Sequence, residues 1–277
     1  MDRLSRLLSQ FGVRAKLFYN GKLCGVASYD GADQRGHIHL LQAGTVILRG
    51  AGHREWSLTQ PSLVFLPRPT QHQLIADEAE GAQLLCASMA FDGGSDNPLA
   101  ASLPDCLVLP LNELPLLADT LNWMFTEAAA EHCGREAAID RLFELLIILL
   151  LRHLLDHQLL HTGVMAGLAD ARLARSLVQM HNAPERAWSV AELANESNMS
   201  RAAYALHFRD VTGHTPAEYL LSWRISLTQK RLREGRSITH IAAEVGYDSP
   251  SALARAFRRK TGYSPRDWMK SLTAKKQ

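Results

Sequence analysis

Cysteines are few in this chain of 277 residues, and neither a secretion signal nor a long apolar run is present. The four cysteines form no Cys-x-x-Cys pair, which argues against a structural zinc finger. In the most apolar segment, the longest uncharged stretch is Leu145–Leu151, far too short to cross a bilayer. Because no basic segment followed by an apolar one opens the sequence, we expect a cytoplasmic protein with reduced thiols and no membrane partner.

Sequence signatures of several enzyme classes are also missing. The chain contains no G-x-S-x-G, no G-x-x-x-x-G-K-[ST] and no G-x-G-x-x-G, the motifs of serine hydrolases, P-loop proteins and dinucleotide-binding enzymes. Its apolar fraction of 47%, with 21% charged residues, is that of an ordinary globular protein. We therefore expect a globular protein that is not an enzyme.

The net charge of +2 conceals two halves of opposite sign. Residues 170–277 contain 18 Lys and Arg against 10 Asp and Glu, a balance of +8, whereas residues 1–169 contain 12 against 18, a balance of −6. A basic half fits a polyanionic partner, because the neutralisation of phosphates dominates affinity for nucleic acids. We expect the C-terminal half to bind double-stranded DNA.

The residue pattern changes along the chain and predicts an α+β protein. Residues 1–16 have the apolar spacing of a short amphipathic helix. Residues 17–92 alternate short apolar runs with turn residues, which is typical of an all-β sandwich or barrel. Helical periodicity then predicts two helices, over Leu114–Glu131 and Glu136–His157, with Gly134 as a stop signal between them.

The helix predicted over Glu136–His157 is apolar on most of its circumference and should be buried on more than one side. Either a second subunit in a homodimer or the β-rich part of the same chain can bury it, and the sequence favours neither. A linker is predicted to begin at His161. We place a β-barrel domain with flanking helices at 1–160 and an all-α domain at 170–277.

The C-terminal domain contains a helix-turn-helix signature twice, about fifty residues apart. In the first copy, Ser189 and Glu192 form a capping box that opens a helix over Val190–Ser197. Ser200 caps the next helix, Arg201–Thr212, which is the recognition helix of this copy.

The second copy repeats this plan. Ser237 is expected to cap a helix over Ile238–Val245, and Ser249 a recognition helix that runs through Lys260. A long helix, Pro216–Glu234, connects the copies. Two coupled recognition helices can enter adjacent segments of the major groove, since one turn of B-DNA spans about 34 Å.

This doubled motif resembles the AraC/XylS family of bacterial transcription regulators. The resemblance covers about residues 170–270 and includes both half-motifs, their spacing, and the Gly-x-x-Pro that begins at Gly213 and at Gly262. It implies a sequence-specific transcription regulator, most often an activator, with an N-terminal domain that senses a signal or dimerises. Promoter DNA is then the main partner and RNA polymerase a further one.

The resemblance also implies which side chains meet DNA. In the first recognition helix, base edges are expected to meet Ala202, Ala205 and Leu206. In the second, they are expected to meet Pro250, Ser251, Ala252 and Arg255. Small apolar side chains contact thymine methyl groups but make no bidentate hydrogen bond, so Arg255 is expected to make the main base-specific contact. The phosphate contacts are expected from Arg201, Arg209, Arg258, Arg259 and Lys260.

Three histidines of the β-rich part, His37, His39 and His72, resemble the ligand motifs of cupin barrels. In cupins, three histidines and a glutamate hold a divalent metal, but here the glutamate position falls at Ala43 or Gly44. We expect a jelly-roll fold. For the histidines two interpretations stay open: ligands of a divalent metal with an open coordination position, or uncharged histidines that line a pocket.

The four cysteines all lie in the acidic half, at Cys24, Cys86, Cys106 and Cys133. Any one of them is most simply a free thiol. However, Cys24 ahead of the barrel and Cys86 on a late strand, together with the opening residues Met1–Leu8, resemble the cupin-containing AraC-type activators that answer reactive chlorine species. That resemblance implies a switch in which one thiol is oxidised to a sulfenic acid and condenses with the other to a disulfide.

Three functions are therefore compared. The leading one is a redox-sensing, stress-response regulator switched at Cys24 and Cys86. The second is the same regulator switched by a small organic ligand or a metal in the barrel, and a loss of oxidant response on cysteine substitution separates the two. The third, a cupin-type metalloenzyme, is disfavoured by the absent glutamate and the fused DNA-binding domain.

Overall fold

The computed structural model describes residues 2–50, 54–94 and 97–274, so the outermost ends of both predicted domains lie outside the described residues. The chain forms two compact units. The first, which we call the β-unit, consists of Val13–Phe91 and Leu103–His157. The second, the helical unit, consists of Met1–Gly12, Asp92–Ser102 and Gln158–Gln277.

The β-unit is a sandwich of two antiparallel sheets. Its strands are β1 (Val13–Leu23), β2 (Gly25–Tyr29), β3 (Gly36–Gly44), β4 (Val46–Gly50), β5 (Glu55–Leu58), β6 (Ser62–Leu66), β7 (His72–Ala76), β8 (Ala82–Phe91) and β9 (Leu107–Pro110). One sheet has the order β1-β8-β3-β6-β9 and the other β2-β7-β4-β5. Alternate residues of the strands, such as Val46, Leu48 and Leu74, point into a buried core between the sheets. The predicted α+β class, with a β-sandwich in the N-terminal half, is confirmed.

The helix α4 (Arg135–Asp156) covers the edge strand β1, and the helix α3 (Ala118–Ala129) packs against α4. Backbone N–H groups of β1 donate to carboxylates of α4, from Leu17 to Asp140 Oδ1 at 2.6 Å and from Ala15 to Glu144 Oε1 at 3.4 Å. These bonds satisfy donors that an uncovered edge strand would expose. Of the two alternatives for the apolar helix α4, packing against the β-rich part of the same chain is therefore observed.

The helical unit contains the remaining helices. They are α1 (Ser5–Gln10), α2 (Pro98–Ser102), α5 (Gly163–Ala169), α6 (Ala174–Asn182), α7 (Val190–Glu196), α8 (Arg201–Thr212), α9 (Pro216–Arg233), α10 (Ile238–Glu244), α11 (Pro250–Thr261) and α12 (Pro265–Ala274). The long helix α9 contacts α8, α10, α11 and α12, so it connects the two helix-turn-helix copies as the sequence predicts. In the described part of the chain, no helix is long and apolar enough to cross a membrane.

Several segments differ from the sequence prediction. The N-terminal helix ends at Gln10 and residues 13–16 belong to β1, and two 3-10 turns precede α3 because Pro115 disfavours a helical conformation at Leu114. The predicted linker after His161 is instead helix α5, whose apolar residues are buried. Gly134 adopts φ 80° at the start of α4 rather than ending α3.

The N-terminal residues also group with the helical unit rather than with the β-rich part that follows them. Leu7 and Phe11 are buried, and the Phe11 ring lies 5.3 Å from the Trp223 ring of α9 in an edge-to-face arrangement. The Arg6 guanidinium donates to the carbonyl oxygen of His181 on α6. Apolar burial and a backbone hydrogen bond thus fix α1 on α6 and α9.

Candidate functional site

The first helix-turn-helix copy forms as its capping residues predict. The Ser189 hydroxyl accepts from the Glu192 N–H at 3.2 Å, and the Glu192 carboxylate accepts from the Ser189 N–H at 2.8 Å. The Ser200 hydroxyl accepts from the Ala203 N–H at 3.3 Å and opens α8. Between the helices, Asn198 has φ 51°, a conformation that asparagine tolerates better than most residues. Local chemistry therefore sets the angle between α7 and the recognition helix α8.

Recognition helix α8 has a buried aromatic face and an exposed face. Tyr204 and Phe208 are fully buried, and the Tyr204 hydroxyl donates to Ser176 on α6 at 3.1 Å. On the opposite face, Leu206 is 64% exposed, an unusual fraction for a large apolar side chain. The other α8 residues that we predict to meet DNA are also accessible. Three of them, Arg201, Ala202 and Arg209, are exposed, and Ala205 is half-buried.

The second copy has the same arrangement with one difference at its start. Ser249 accepts from the Ala252 N–H at 3.2 Å and caps α11, as predicted. Ser237 occupies the N-cap position of α10, but its side chain makes no capping bond and instead lies 2.9 Å from Nδ1 of His240. In the turn, Gly246 has φ 77°, and a Cβ there would overlap the Glu185 carbonyl oxygen, so only glycine fits.

Recognition helix α11 presents most of the basic side chains that the sequence assigned to DNA. Leu253, Ala256 and Phe257 are buried. The exposed residues are Ser251, Arg255, Arg258, Arg259 and Lys260, and the half-buried ones are Pro250 and Ala252. Because α8 exposes two arginines of the predicted set and α11 three arginines and a lysine, the two recognition helices offer unequal positive surfaces.

His207 lies on recognition helix α8, and no sequence motif indicated a role for it. Its Nε2 lies 2.8 Å from a carboxylate oxygen of Asp170, just before α6. The same carboxylate accepts from the N–H groups of Arg172 and Leu173, so it also caps the chain entering α6. This pair connects the recognition helix to the first helices of the unit.

The β-unit brings together the three histidines that the sequence singled out. His37 and His39 lie on β3 and His72 on β7 of the opposite sheet, and all three are buried. One ring nitrogen of each lies within 4.8 Å of those of the other two, and the Nε2 atoms of His39 and His72 are 2.9 Å apart. One strand of each sheet, β3 and β7, therefore brings these histidines together inside the sandwich.

Aromatic and acidic side chains surround this cluster. The Tyr29 ring stacks on the His72 ring at 4.7 Å, and the Phe18 ring lies 5.5 Å from that of His37. The Asp33 carboxylate lies 3.3 Å from Nε2 of His37. These residues and Asp30 line a cavity of about 500 Å³, a size suited to a small ligand. The sequence interpretation missed these residues, because the loop that contains Asp33 has no periodicity that would indicate its position.

Burial keeps the three imidazoles uncharged at neutral pH. It lowers the pKa of His72 to about 4, although the hydrogen bond from Nδ1 to the Thr70 carbonyl oxygen opposes the change. Burial also lowers the pKa of His39 far below its ordinary value, with the neighbouring histidines adding to the effect. For His37, burial outweighs the opposing effect of Asp33. Uncharged imidazoles have the lone pairs that metal ligation requires.

Two lone pairs of the cluster have no donor. The Thr70 carbonyl only accepts, so His72 Nδ1 carries the hydrogen and its Nε2 accepts from His39. The Nδ1 atoms of His37 and His39 are buried and make no hydrogen bond within the described residues. The nitrogens that meet are instead the Nε2 atoms of His39 and His72. A divalent cation bound there would take the place of the hydrogen that these two atoms share, and imidazoles are ligands that zinc, iron, copper and nickel prefer.

The two cysteines of the predicted switch are not adjacent. All four cysteines are free, with Cys24 exposed just after β1 and Cys86 buried on β8. Cys86 pairs with Tyr19 of β1, whereas Leu23, next to Cys24, pairs with Ala82. Five strand residues thus separate the two positions, roughly 16 Å, whereas a disulfide needs Cα atoms within about 7 Å. Burial also raises the pKa of the Cys86 thiol.

A helical unit with two helix-turn-helix copies and a β-sandwich with a histidine-lined cavity together define a DNA-binding protein with a ligand-binding domain. Residues 2–156 match the cupin family, and residues 193–271 match a helix-turn-helix domain family. The chain belongs to the cupin family and also contains an AraC-type helix-turn-helix domain.

The curated relatives support this family. A protein of Streptomyces lividans, named as an AraC-like transcription regulator, is 34% identical over 204 residues, which cover 72% of this chain and 66% of that protein. The RCS-specific transcriptional activator RclR of Escherichia coli K12 is 28% identical over 279 residues and 97% of each chain. These names agree with the expectation that the chain is not an enzyme. Among solved structures, fatty-acid-bound ToxT of Vibrio cholerae is 15% identical, covers 93% of this chain and 94% of its own, and has a TM-score of 0.40.

Proposed function

We propose that this protein is a sequence-specific transcription activator that binds double-stranded promoter DNA through α8 and α11 and is controlled by a signal bound in the β-unit. The observation that carries the proposal is the pair of serine-capped recognition helices, each with a buried aromatic face and an exposed face. The similarity to RclR, which is named as an activator, supports activation and RNA polymerase as a further partner. Bacterial promoters lie in the cytoplasm, where we propose that the protein acts.

The two recognition helices divide the work of binding. In α8, the apolar residues Ala202, Ala205 and Leu206 contact thymine methyl groups. In α11, Arg255 makes the bidentate base contact, supported by the neighbouring residues Pro250, Ser251 and Ala252. The remaining basic side chains position the protein on phosphates. They are Arg201, Arg209, Arg258, Arg259 and Lys260.

The signal that the geometry favours is a divalent metal held by His37, His39 and His72. Support comes from one ring nitrogen of each of the three buried histidines, since these nitrogens all lie within 4.8 Å of one another. Three histidine ligands would leave a further coordination position of the metal, which a carboxylate or a small ligand in the cavity could occupy. The carbonyl of Thr70 orients His72 by accepting from its Nδ1, and Tyr29 stacks on the same ring, so the protein holds this ligand in place.

Oxidation of Cys24 and Cys86 is the second candidate signal. The exposed Cys24 would react first with an oxidant such as hypochlorite, and condensation of its sulfenic acid with Cys86 would release water and form the disulfide. Because the ladder register separates the two positions, the bridge requires β1 and β8 to unpair at one end. The similarity to RclR, which is named as an RCS-specific activator, supports this signal. The distance between Cys24 and Cys86 in the reduced chain argues against it.

DNA selection from a random pool tests the proposal. Full-length protein is prepared metal-free, zinc-loaded and hypochlorite-treated, and the affinity of each form for the selected site is measured at several salt concentrations. We expect a steep fall in affinity with salt and a change on zinc loading that His39→Ala abolishes. A change on hypochlorite treatment that Cys24→Ser abolishes, without any zinc effect, would instead identify the thiols as the signal. Failure to select any sequence would refute the proposed function.

A further inference from the structure

We propose that Asp33 is the fourth, carboxylate ligand of a divalent metal at His37, His39 and His72. This inference rests on the metal site proposed above. The strand position at which cupins place a glutamate holds Ala43 or Gly44 here, neither of which has a side chain that could ligate. A carboxylate from a different element, the loop between β2 and β3, lies beside the cluster instead.

Two distances have the size expected for donors that share one ion, although the group of ligand atoms that lie within 4.8 Å of one another contains the three histidines and not Asp33. Ligand atoms about 2.1 Å from a tetrahedral zinc ion lie about 3.4 Å from one another. Oδ2 of Asp33 is 3.3 Å from Nε2 of His37, and the Nε2 atoms of His39 and His72 are 2.9 Å apart.

The loop holds this carboxylate in place. Oδ1 of Asp33 accepts from the Arg35 N–H at 3.1 Å, which leaves Oδ2 turned toward His37. The loop closes through a hydrogen bond from the Gln34 N–H to the Gly31 carbonyl oxygen, and both residues have positive φ. Asp33 is nevertheless half-exposed, so a modest rotation of its side chain can bring Oδ2 closer to the cluster.

Asp30 is a matched control in the same loop. It lines the same cavity, and its Oδ1 accepts from the Ala32 N–H at 2.9 Å, the same turn geometry that Asp33 forms with Arg35. The difference is that only Asp33 also contacts a histidine of the cluster. Asp30→Ala therefore removes an equal charge and an equal turn bond without removing the proposed ligand.

The test uses the full-length, chelator-treated protein with zinc and cobalt. Zinc affinity is measured by competition with a chromophoric chelator, and the ligand set by the visible spectrum of bound Co²⁺. We expect Asp33→Ala to weaken zinc binding at least about tenfold, since even outer partners of a ligand contribute roughly 10–100-fold, and to change the cobalt spectrum. Asp30→Ala should do neither, and unchanged thermal unfolding of both metal-free variants shows that they fold.

Three results would overturn the inference. Asp33→Ala could bind zinc as tightly as the unaltered protein, Asp30→Ala could weaken binding equally, or Asp33→Ala could weaken binding and leave the cobalt spectrum unchanged, which would make Asp33 a positioning residue. If the unaltered protein bound neither metal, the three-histidine site itself would be refuted, an outcome distinct from the other three.

Discussion

Acid should destabilise the metal-free β-unit through His72. The pKa of this residue falls from 6.5 in an unfolded chain to about 4 in the fold, so the unfolded state binds more protons between these values. The unfolding free energy therefore decreases as the pH drops from 6.5 to 4. The difference between these two pKa values corresponds to about 3 kcal/mol. His37 and His39 act in the same direction, because burial lowers their pKa values too.

Hydrogen exchange of the β3 and β7 backbone amides measures this effect within the β-unit. The opening free energy should fall across the pH range in the chelator-treated protein, and His72→Gln should reduce the slope by about one proton's worth. The α9 amides, which lie in the helical unit, serve as the internal reference for any general effect of acid. A β-unit whose opening free energy does not change with pH, or an unchanged slope in His72→Gln, would refute the reasoning.

Three further predictions concern the DNA-binding helices. Ser189→Ala should destabilise α7 by about 1 kcal/mol, seen as faster hydrogen exchange, whereas Ser237→Ala should have a smaller effect because Ser237 makes no capping bond; equal effects would contradict this. Gly246→Ala should lower the melting temperature more than Gly213→Ala does. Both glycines have φ 77°, but only at Gly246 would a Cβ overlap another atom, the Glu185 carbonyl oxygen. Equal melting temperatures of the two variants would contradict this prediction. Leu206→Ala should weaken DNA binding in a titration without changing the melting temperature, since this side chain is 64% exposed; a lower melting temperature would place it in the core.

The helix-turn-helix copies could be read from the sequence because short-range chemistry determines them. A serine with a glutamate three residues later, or a serine before an apolar repeat, specifies where a helix begins. Ser189, Ser200 and Ser249 all cap as predicted. Ser237 does not, because His240, one turn later, lies within hydrogen-bond distance of its hydroxyl.

The histidine-lined cavity of the β-unit could be predicted only in part. The His-x-His spacing places His37 and His39 on one face of a strand, a consequence of the two-residue period of β-structure. Their meeting with His72, however, depends on how two sheets pack, and the contribution of Asp33 depends on a loop whose conformation no periodicity specifies. The resemblance to cupins supplied what periodicity could not.

The cysteine pair shows the opposite limit. Cys24 directly follows the end of β1, and Cys86 lies near the middle of β8. The register in which β1 and β8 pair determines the distance between them. Sequence reasoning could not predict that register, because it depends on which strands pair within the sheet. The packing of α1 on α9 could not be predicted either, because it depends on a contact between Phe11 and Trp223, which are far apart in the chain.

We propose that Arg255 of α11 makes the base-specific contact, whereas the other basic residues of the two recognition helices contact phosphates. The most direct test of this proposal measures binding of the unaltered protein, Arg255→Ala and Arg259→Ala to the selected site and to a set of single-base variants, across salt concentrations. We predict that Arg255→Ala weakens binding to the selected site by about 1–3 kcal/mol and loses discrimination at one base pair. Arg259→Ala should weaken all sequences alike and reduce the salt slope by about one. Equal weakening of every sequence by Arg255→Ala would contradict the account.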